Sequence, residues 1–257
     1  MTLIDTHTHL YLKEFETDLQ HVIDRAKSEG VEKFYLPAID SSENENLLRL
    51  ESLYPDSCFA LTGLHPCSVK ENYNDELSAI KSQLLKRKFV AIGEIGLDFY
   101  WDTTFMNEQY SSFHTQIELA LANDIPIVIH SRDALDQAIA VVQEYSSRNL
   151  RGIFHCFGGT EKQADLITDA GFYLGIGGII TYKNTGLAAV IANVDLDHIV
   201  LETDSPYLTP IPFRGKRNES SYLKYIAAKV ADVKKISLEE VASLTTFNAS
   251  KVFGVAD

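Results

Sequence analysis

Thr2-Leu3-Ile4-Asp5-Thr6-His7-Thr8-His9 carries a short apolar run into two histidines set two residues apart. Side chains on a strand alternate between faces, so a strand reading puts both imidazoles on the same side. Two aligned imidazoles are half a metal site, and the strand that ends in them opens a series. Runs of the same β-rich character recur at 33–36, 58–61, 90–92, 126–129, 152–154, 172–176 and 199–201. Between them the apolar residues take helical spacing, as in Leu19, Val22, Ile23 and Ala26, or Phe113, Ile117 and Leu121. Helix boundary residues agree: Ser41 or Ser42 stands before Glu45 as a cap, and Gly30 and Gly171 follow helices.

Strict β/α alternation predicts a parallel sheet. Eight units in 257 residues match a TIM-type (β/α)8 barrel, an α/β fold. A doubly wound open sheet is the alternative; it lacks the Gly-x-Gly-x-x-Gly that often follows its first strand. No Pro- or Ser-rich linker divides the chain, so residues 1–257 are expected to form one domain. The last 25 residues predict an extra C-terminal helix, with Ser237 capping 238–253 and Glu240 as its capping-box partner.

Composition narrows the function. With 45% hydrophobic residues the chain can bury one large core, and no run reaches 18 apolar residues, so a membrane span is not expected. No basic region precedes an apolar core at the N-terminus, no signal peptide is read there, and the cytoplasm is the default location. Cys58, Cys67 and Cys156 are odd in number and lack Cys-x-x-Cys spacing, which predicts reduced, mostly buried thiols. A formal charge of −13 opposes a broad duplex-binding surface, because such surfaces work by clustered Lys and Arg. Cations held in a carboxylate-rich pocket would reverse that sign locally.

Active sites of barrels are built at the C-terminal ends of the strands. There the sequence places His7 and His9 (strand one), His65 (after strand three), Glu94 (strand four), His130 (strand five), His155 (strand six) and Asp204 (strand eight). Any one of these histidines alone reads as a hydrogen-bonded strand end. Together, aimed into one mouth with no matching Lys or Arg on those strands, they form a charge cluster that cations would neutralise. Imidazole and carboxylate donors suit zinc, manganese, iron or magnesium. Cys156, next to His155 in an extended chain, is expected to face away and pack.

The strings Asp5-Thr6-His7-Thr8-His9-Leu10, Gly63-Leu64-His65-Pro66, Gly93-Glu94-Ile95-Gly96-Leu97-Asp98, His130-Ser131-Arg132, His155-Cys156-Phe157, Glu202-Thr203-Asp204-Ser205-Pro206 and Arg214-Gly215-Lys216-Arg217-Asn218 appear in this order. The set resembles the TatD family of metal-dependent deoxyribonucleases, in the branch that keeps His-x-His. The resemblance covers residue 3 to the chain end. It implies two divalent metal ions: His7, His9, Glu94 and Asp204 would hold one, and Glu94, His130 and His155 the other, with Glu94 as bridge. Related barrel hydrolases bridge with a modified lysine, where this chain has Glu94. The implied activity is phosphodiester hydrolysis of DNA, as a 3'-5' exodeoxyribonuclease acting on DNA ends or single strands with a two-metal-activated water. Asp204 is the candidate proton acceptor, with ligation alone as its other role.

Around this centre Glu202 shares a face with Asp204 and is expected to accept a hydrogen bond from a ligand histidine. His65 has two readings, substrate phosphate contact or leaving-group protonation, against a turn role beside Pro66. Asp98 is expected to order the following loop. Arg132 and the basic run of Arg214, Lys216 and Arg217 are candidate phosphate contacts, with anchoring of the loop after strand eight as the alternative for Arg217. Tyr100 and Trp101 either stack on a nucleobase or pack as a lid on the barrel. Tyr11 and Cys67 depart from the residues frequent in relatives, which leaves substrate preference less transferable than the centre. Two rival functions stay open: hydrolysis of another ester or amide, such as an aminoacyl-tRNA ester or small cyclic amide, and a non-catalytic metal-binding interaction protein. No membrane and no obligate protein partner are inferred.

Overall fold

A computed structural model describes residues 1–254. Eight strands appear in chain order: β1 (Leu3–Asp5), β2 (Val31–Leu36), β3 (Cys58–Ala60), β4 (Ile92–Asp98), β5 (Ile127–Arg132), β6 (Gly152–Phe154), β7 (Tyr173–Ile176) and β8 (Ile199–Leu201). Every pairing is parallel, in the orders β1-β2-β3 and β4-β5-β6-β7-β8. Parallel bridges at Thr62–Ile92 and Thr8–Ser205 join the two sets into a ring. The fold is a (β/α)8 barrel.

The helices that return the chain are α1 (Leu19–Ser28), α2 (Asn44–Leu53), α3 (Tyr73–Lys86), α4 (Met106–Asn123), α5 (Leu135–Gln143), α6 (Glu161–Asp169), α7 (Leu187–Asn193) and α8 (Leu223–Lys234). Each presents an apolar stripe to the outer faces of the strands; in α1 that stripe is Val22, Ile23 and Ala26, all buried. No helix is long and apolar enough to cross a membrane among the described residues.

A separate buried cluster takes one residue from each strand or its flank: Ile4, Tyr35, Leu61, Ala91, Val128, Ile153, Tyr173 and Val200. This is the filled interior of the barrel, and a ninth helix, α9 (Leu238–Phe253), closes it with Ala249, Val252 and Phe253. Phe253 stacks on Tyr35 with ring centroids 3.7 Å apart. Asn248 fastens the helix by donating to the Leu196 and Ile199 carbonyls, and Ser237 caps its start by accepting the Glu240 N–H at 3.1 Å.

Three local expectations change. Strands four and five reach to Asp98 and Arg132, well past the apolar runs at 90–92 and 126–129, because they continue through polar residues that face the mouth. A register shift between Ile92 and Ile95 bends β4, and Gly96, at φ +138°, lies so near β5 that a Cβ would come within 2.1 Å of the His130 carbonyl. The cap before α2 is Asp40, whose carboxylate accepts the Ser42 N–H, with a short 3-10 turn at Ser41–Glu43 in between. Of the thiols only Cys58 is buried; Cys67 and Cys156 are half-buried.

If α9 is the plug that completes the core, Phe253→Ala should cost about 3–5 kcal/mol of unfolding free energy, the usual range for a buried Phe lost to Ala. Chemical denaturation of the metal-free protein measures it; a loss below about 1 kcal/mol would show that the helix is only an appendage.

Candidate metal centre

The strand tops deliver their polar residues to one cavity of about 730 Å³. His9, His65, Glu94, Asp98, His130, His155 and Asp204 line it. His7 lies just beneath, fully buried, its ring stacked on His155 at 3.5 Å between centroids.

Glu94 is the hub. Its Oε2 faces His7 Nε2 at 3.2 Å and His9 Nε2 at 3.8 Å. Its Oε1 faces His130 Nδ1 at 2.8 Å, His65 Nε2 at 3.5 Å and His155 Nε2 at 3.7 Å. One carboxylate thus divides five imidazoles between its two oxygens. Asp204 Oδ1 stands on the other flank, 3.5 Å from His9 Nε2, 3.7 Å from His7 Nε2 and 3.9 Å from His155 Nε2. The donor atoms of His7, His9 and Glu94 lie within 4.8 Å of one another, as do those of His7, His155 and Asp204, and those of His65, Glu94 and His130. His155 therefore groups more tightly with His7 and Asp204 than with His130, which is drawn toward Asp98.

The donor set suits a divalent cation. His7 and His9 bring their Nε2 atoms to 3.2 Å, close to the span of two imidazoles on one ion at about 2.1 Å each. Outer partners also fix the ring nitrogens. The Tyr11 hydroxyl donates to the Pro37 carbonyl at 2.6 Å, so its oxygen must accept from His9 Nδ1–H at 3.0 Å, which leaves the His9 Nε2 lone pair facing the centre. His130 Nε2 shares a hydrogen bond with Asp98 Oδ2 at 2.8 Å, while His155 Nδ1 lies 2.9 Å from Glu202 Oε1 as an ion-pair contact without hydrogen-bond alignment. Histidines that bind metals carry such partners.

His65 differs. Its Nδ1 accepts the Cys67 N–H at 3.0 Å, so in the neutral ring Nε2 bears the proton and acts as a donor toward the cavity. Burial pulls the His65 pKa down and so favours that neutral ring.

Electrostatics follow from burial. Desolvation would raise the Glu94 pKa, but His65, His7 and His155 and the bond from His130 outweigh it and hold the carboxyl well below its ordinary range. Asp204 is likewise lowered against its burial, by His9, His155 and His7. Burial lowers His155, yet Glu202 and Glu94 overcome it and bring its pKa up to about 10. Under the centre Asp5 is fully buried and accepts from the Thr203 N–H and hydroxyl at 2.9 and 2.6 Å. Desolvation pushes Asp5 up to about 7 despite those bonds, with Glu202 adding to the rise.

Other expected site residues distribute unevenly. Arg132, with Trp101, lines the cavity; Tyr100 stands beside them. Arg217 does not reach the mouth: it pairs bidentately with Asp18 at 2.8 Å and stacks on Phe15, where it anchors the loop after β8. Asn218 helps by donating to the Thr203 and Tyr207 carbonyls. Cys156 does not turn away. A left-handed backbone, φ +49°, turns it to the cavity wall while its N–H donates to Glu202. Asp98 orders the next loop by accepting the Tyr100 and Trp101 N–H groups, and it holds His130 as well. The sequence reading does not assign Tyr11 as the partner of His9: it lies in a turn beyond the end of β1, where strand alternation gives no guide.

The family model for TatD related DNases matches residues 4–254. A metal-dependent hydrolase of Bacillus subtilis, YabD, whose own function is uncharacterised, is 39% identical over 98% of this chain and 99% of its own. The 3'-5' ssDNA/RNA exonuclease TatD of Pectobacterium carotovorum is 31% identical over 99% of this chain and all of its own length. The crystal structure of YjjV, a TatD homologue from Escherichia coli, superposes with a TM-score of 0.93 at 30% identity, covering 99% of this chain and 98% of that one.

The buried Asp5 makes stability fall as pH rises. Its folded pKa lies above the unfolded value, so the folded chain keeps a proton that the unfolded chain releases between about 3.8 and 7; that stabilisation is complete below the lower value and gone above the higher. Asp5→Asn can still pair with both Thr203 groups, its amide oxygen accepting the N–H and its amide N–H donating to the hydroxyl, and it removes the titration. In metal-free protein the thermal midpoint of the variant should therefore fall less than that of the parent between pH 4 and 8, by several degrees; parallel curves would contradict the assignment.

Proposed function

The chain belongs to the family of TatD related DNases, and from that premise we propose that it is a 3'-5' exodeoxyribonuclease acting on DNA ends and single strands. As a member it is a metal-dependent hydrolase acting on ester bonds. The observation that carries the finer reading is the division of Glu94: one oxygen toward His7 and His9, the other toward His130, His65 and His155. In this reading His7, His9, Glu94 and Asp204 hold one divalent cation, and Glu94, His130 and His155 hold a second. Zinc, manganese, magnesium and iron all suit these nitrogen and oxygen donors. When bound there, such ions would supply an activated water and charge neutralisation at the departing oxygen.

The protein's own groups do the rest. Asp204 is ionised near neutrality and lines the cavity, so it takes the proton of the attacking water at its carboxylate. His65 presents Nε2–H and donates a hydrogen bond, without giving up its proton, to the departing oxygen, which takes its proton from solvent; the bond from the Cys67 N–H prepares that orientation. Tyr11, Asp98 and Glu202 keep the three ligand rings turned inward. The cavity admits a chain end more readily than a continuous duplex, which favours exonuclease action. The TatD exonuclease of Pectobacterium carotovorum, named for single-stranded DNA and RNA, supports a single-stranded substrate and the 3'-5' direction. The complete ligand set of the centre favours an enzyme over a passive binding module.

With 5'-labelled single-stranded DNA and metal-reconstituted protein, the ladder should shorten from the 3' end. Glu94→Ala should cut turnover by at least about 10³-fold, and Asp204→Asn at saturating metal by about 10²- to 10⁴-fold in kcat. Near-normal turnover in Asp204→Asn would reject its role as base. A failure to cleave any nucleic acid with both sites filled would sink the nuclease reading.

A further inference from the structure

The loop after β4 holds two large aromatics away from the core. Tyr100 is 53% exposed and Trp101 66%, yet the loop that bears them is pinned at many points. Asp98 accepts both of their N–H groups at 3.0 Å. Gln109 donates from within to the Asp98 and Asp102 carbonyls, and Lys70 pairs with Asp102 at 2.6 Å. Phe99, the neighbour on the other side, turns inward and bonds through its N–H to the Arg132 carbonyl. Exposed aromatic area on a loop so well fixed is a prepared surface.

Arg132 completes it. Its guanidinium lies 4.0 Å from the Tyr100 ring centroid and 5.1 Å from that of Trp101. Among the described residues no carboxylate stands within ion-pair distance of Arg132, although the chain carries 36 acidic residues against 23 Lys and Arg. Arg217 and Arg25, also near the top of the barrel, are held by Asp18 and Glu219, while Arg214 lies over the Tyr182 ring. An arginine that keeps its five donors free, at the wall of a cavity that also holds Glu94 and Asp204, is poised for an anion. Trp101 lines the same cavity and offers a flat ring beside that charge.

We propose that Arg132, Trp101 and Tyr100 form a ledge that takes the unpaired end of a nucleic acid, with a base stacked on Trp101 and the adjoining phosphate on Arg132. The proposal rests on the nuclease reading above and adds what selects the strand. Bases inside a duplex have both faces covered by their neighbours, so only a base free of the stack can use the ring. Asp98 ties the ledge to the centre, because the carboxylate that fixes Tyr100 and Trp101 also holds His130. A base on the ledge is thereby registered against the hydrolytic groups.

Trp101 is the chain's single tryptophan, so its emission reports on the ledge alone. Magnesium-loaded protein is mixed with a six-residue oligothymidylate in stopped flow, and fluorescence is read before turnover. Saturable quenching is expected. A strand of equal length made of base-free sugar phosphates should bind about 5- to 150-fold more weakly and leave the emission unchanged. By polarisation of a labelled strand, Trp101→Ala should lose the preference for bases, and Trp101→Phe should keep most of it. Arg132→Ala should weaken both strands alike and reduce the slope of log affinity against log salt by about 1. Equal affinity for the two strands, or unaltered emission at saturation, would overturn the ledge. Mononucleotide release measured on the same mixtures separates the two ideas: quenching without cleavage keeps the ledge and removes the nuclease reading, while cleavage without quenching does the reverse.

Discussion

One buried carboxylate governs this structure. Glu94 is 3% exposed and stands among five imidazoles, three on one oxygen and two on the other. An ionised carboxylate in such a place is stable only if positive charge or strong donors surround it closely. The surrounding architecture meets that demand. Gly96 lets β4 press against β5, so that Glu94 and His130 reach hydrogen-bond distance. Outer partners turn the rings inward, and they come from different parts of the chain: Tyr11 beyond β1, Asp98 at the top of β4 and Glu202 beyond β8. Remove the carboxylate and these contacts lose their common target.

The same centre resolves a conflict in the charge balance. A chain of net charge −13 repels phosphates at long range, yet its family hydrolyses ester bonds with bound metals. Many of its surface cations are spent on neighbours, as Arg217 on Asp18, Arg148 on Glu118 and Lys224 on Glu29. At the mouth Arg132 has no acidic partner and the histidines converge, so attraction for an anion is strong there. Attraction at the mouth favours a substrate that enters end first over one that lies along the surface.

Much of the fold was legible because hydrophobic period is a local property. Seven of the eight strands lie on the β-rich runs, β4 shares only Ile92 with its run, and Gly30 and Gly171 follow helices at φ +86° and +81°, as left-handed positions that suit glycine. The tops of β4 and β5 were not legible, since Glu94, Asp98, His130 and Arg132 break the apolar run while the ladder continues through them. Cys156 was misplaced for a related reason: the alternation rule holds in extended chain, and its backbone is left-handed. The convergence of His7, His9, Glu94, His130, His155 and Asp204 could be read from their places at strand ends. The partners Tyr11 and Asp5 could not, because what they do depends on Pro37 and Thr203, whose positions follow only from the closed ring. For Arg217 the anchoring alternative holds rather than phosphate contact, since in space it belongs to Asp18.

Diffraction from crystals soaked in manganese, recorded for anomalous signal, tests the bridging role of Glu94 most directly. The account predicts two peaks about 3.5–4 Å apart, one on each oxygen of Glu94, with His7 and His9 beside the first and His130 and His155 beside the second. A single peak, or a pair that leaves either Glu94 oxygen without an ion, would contradict it.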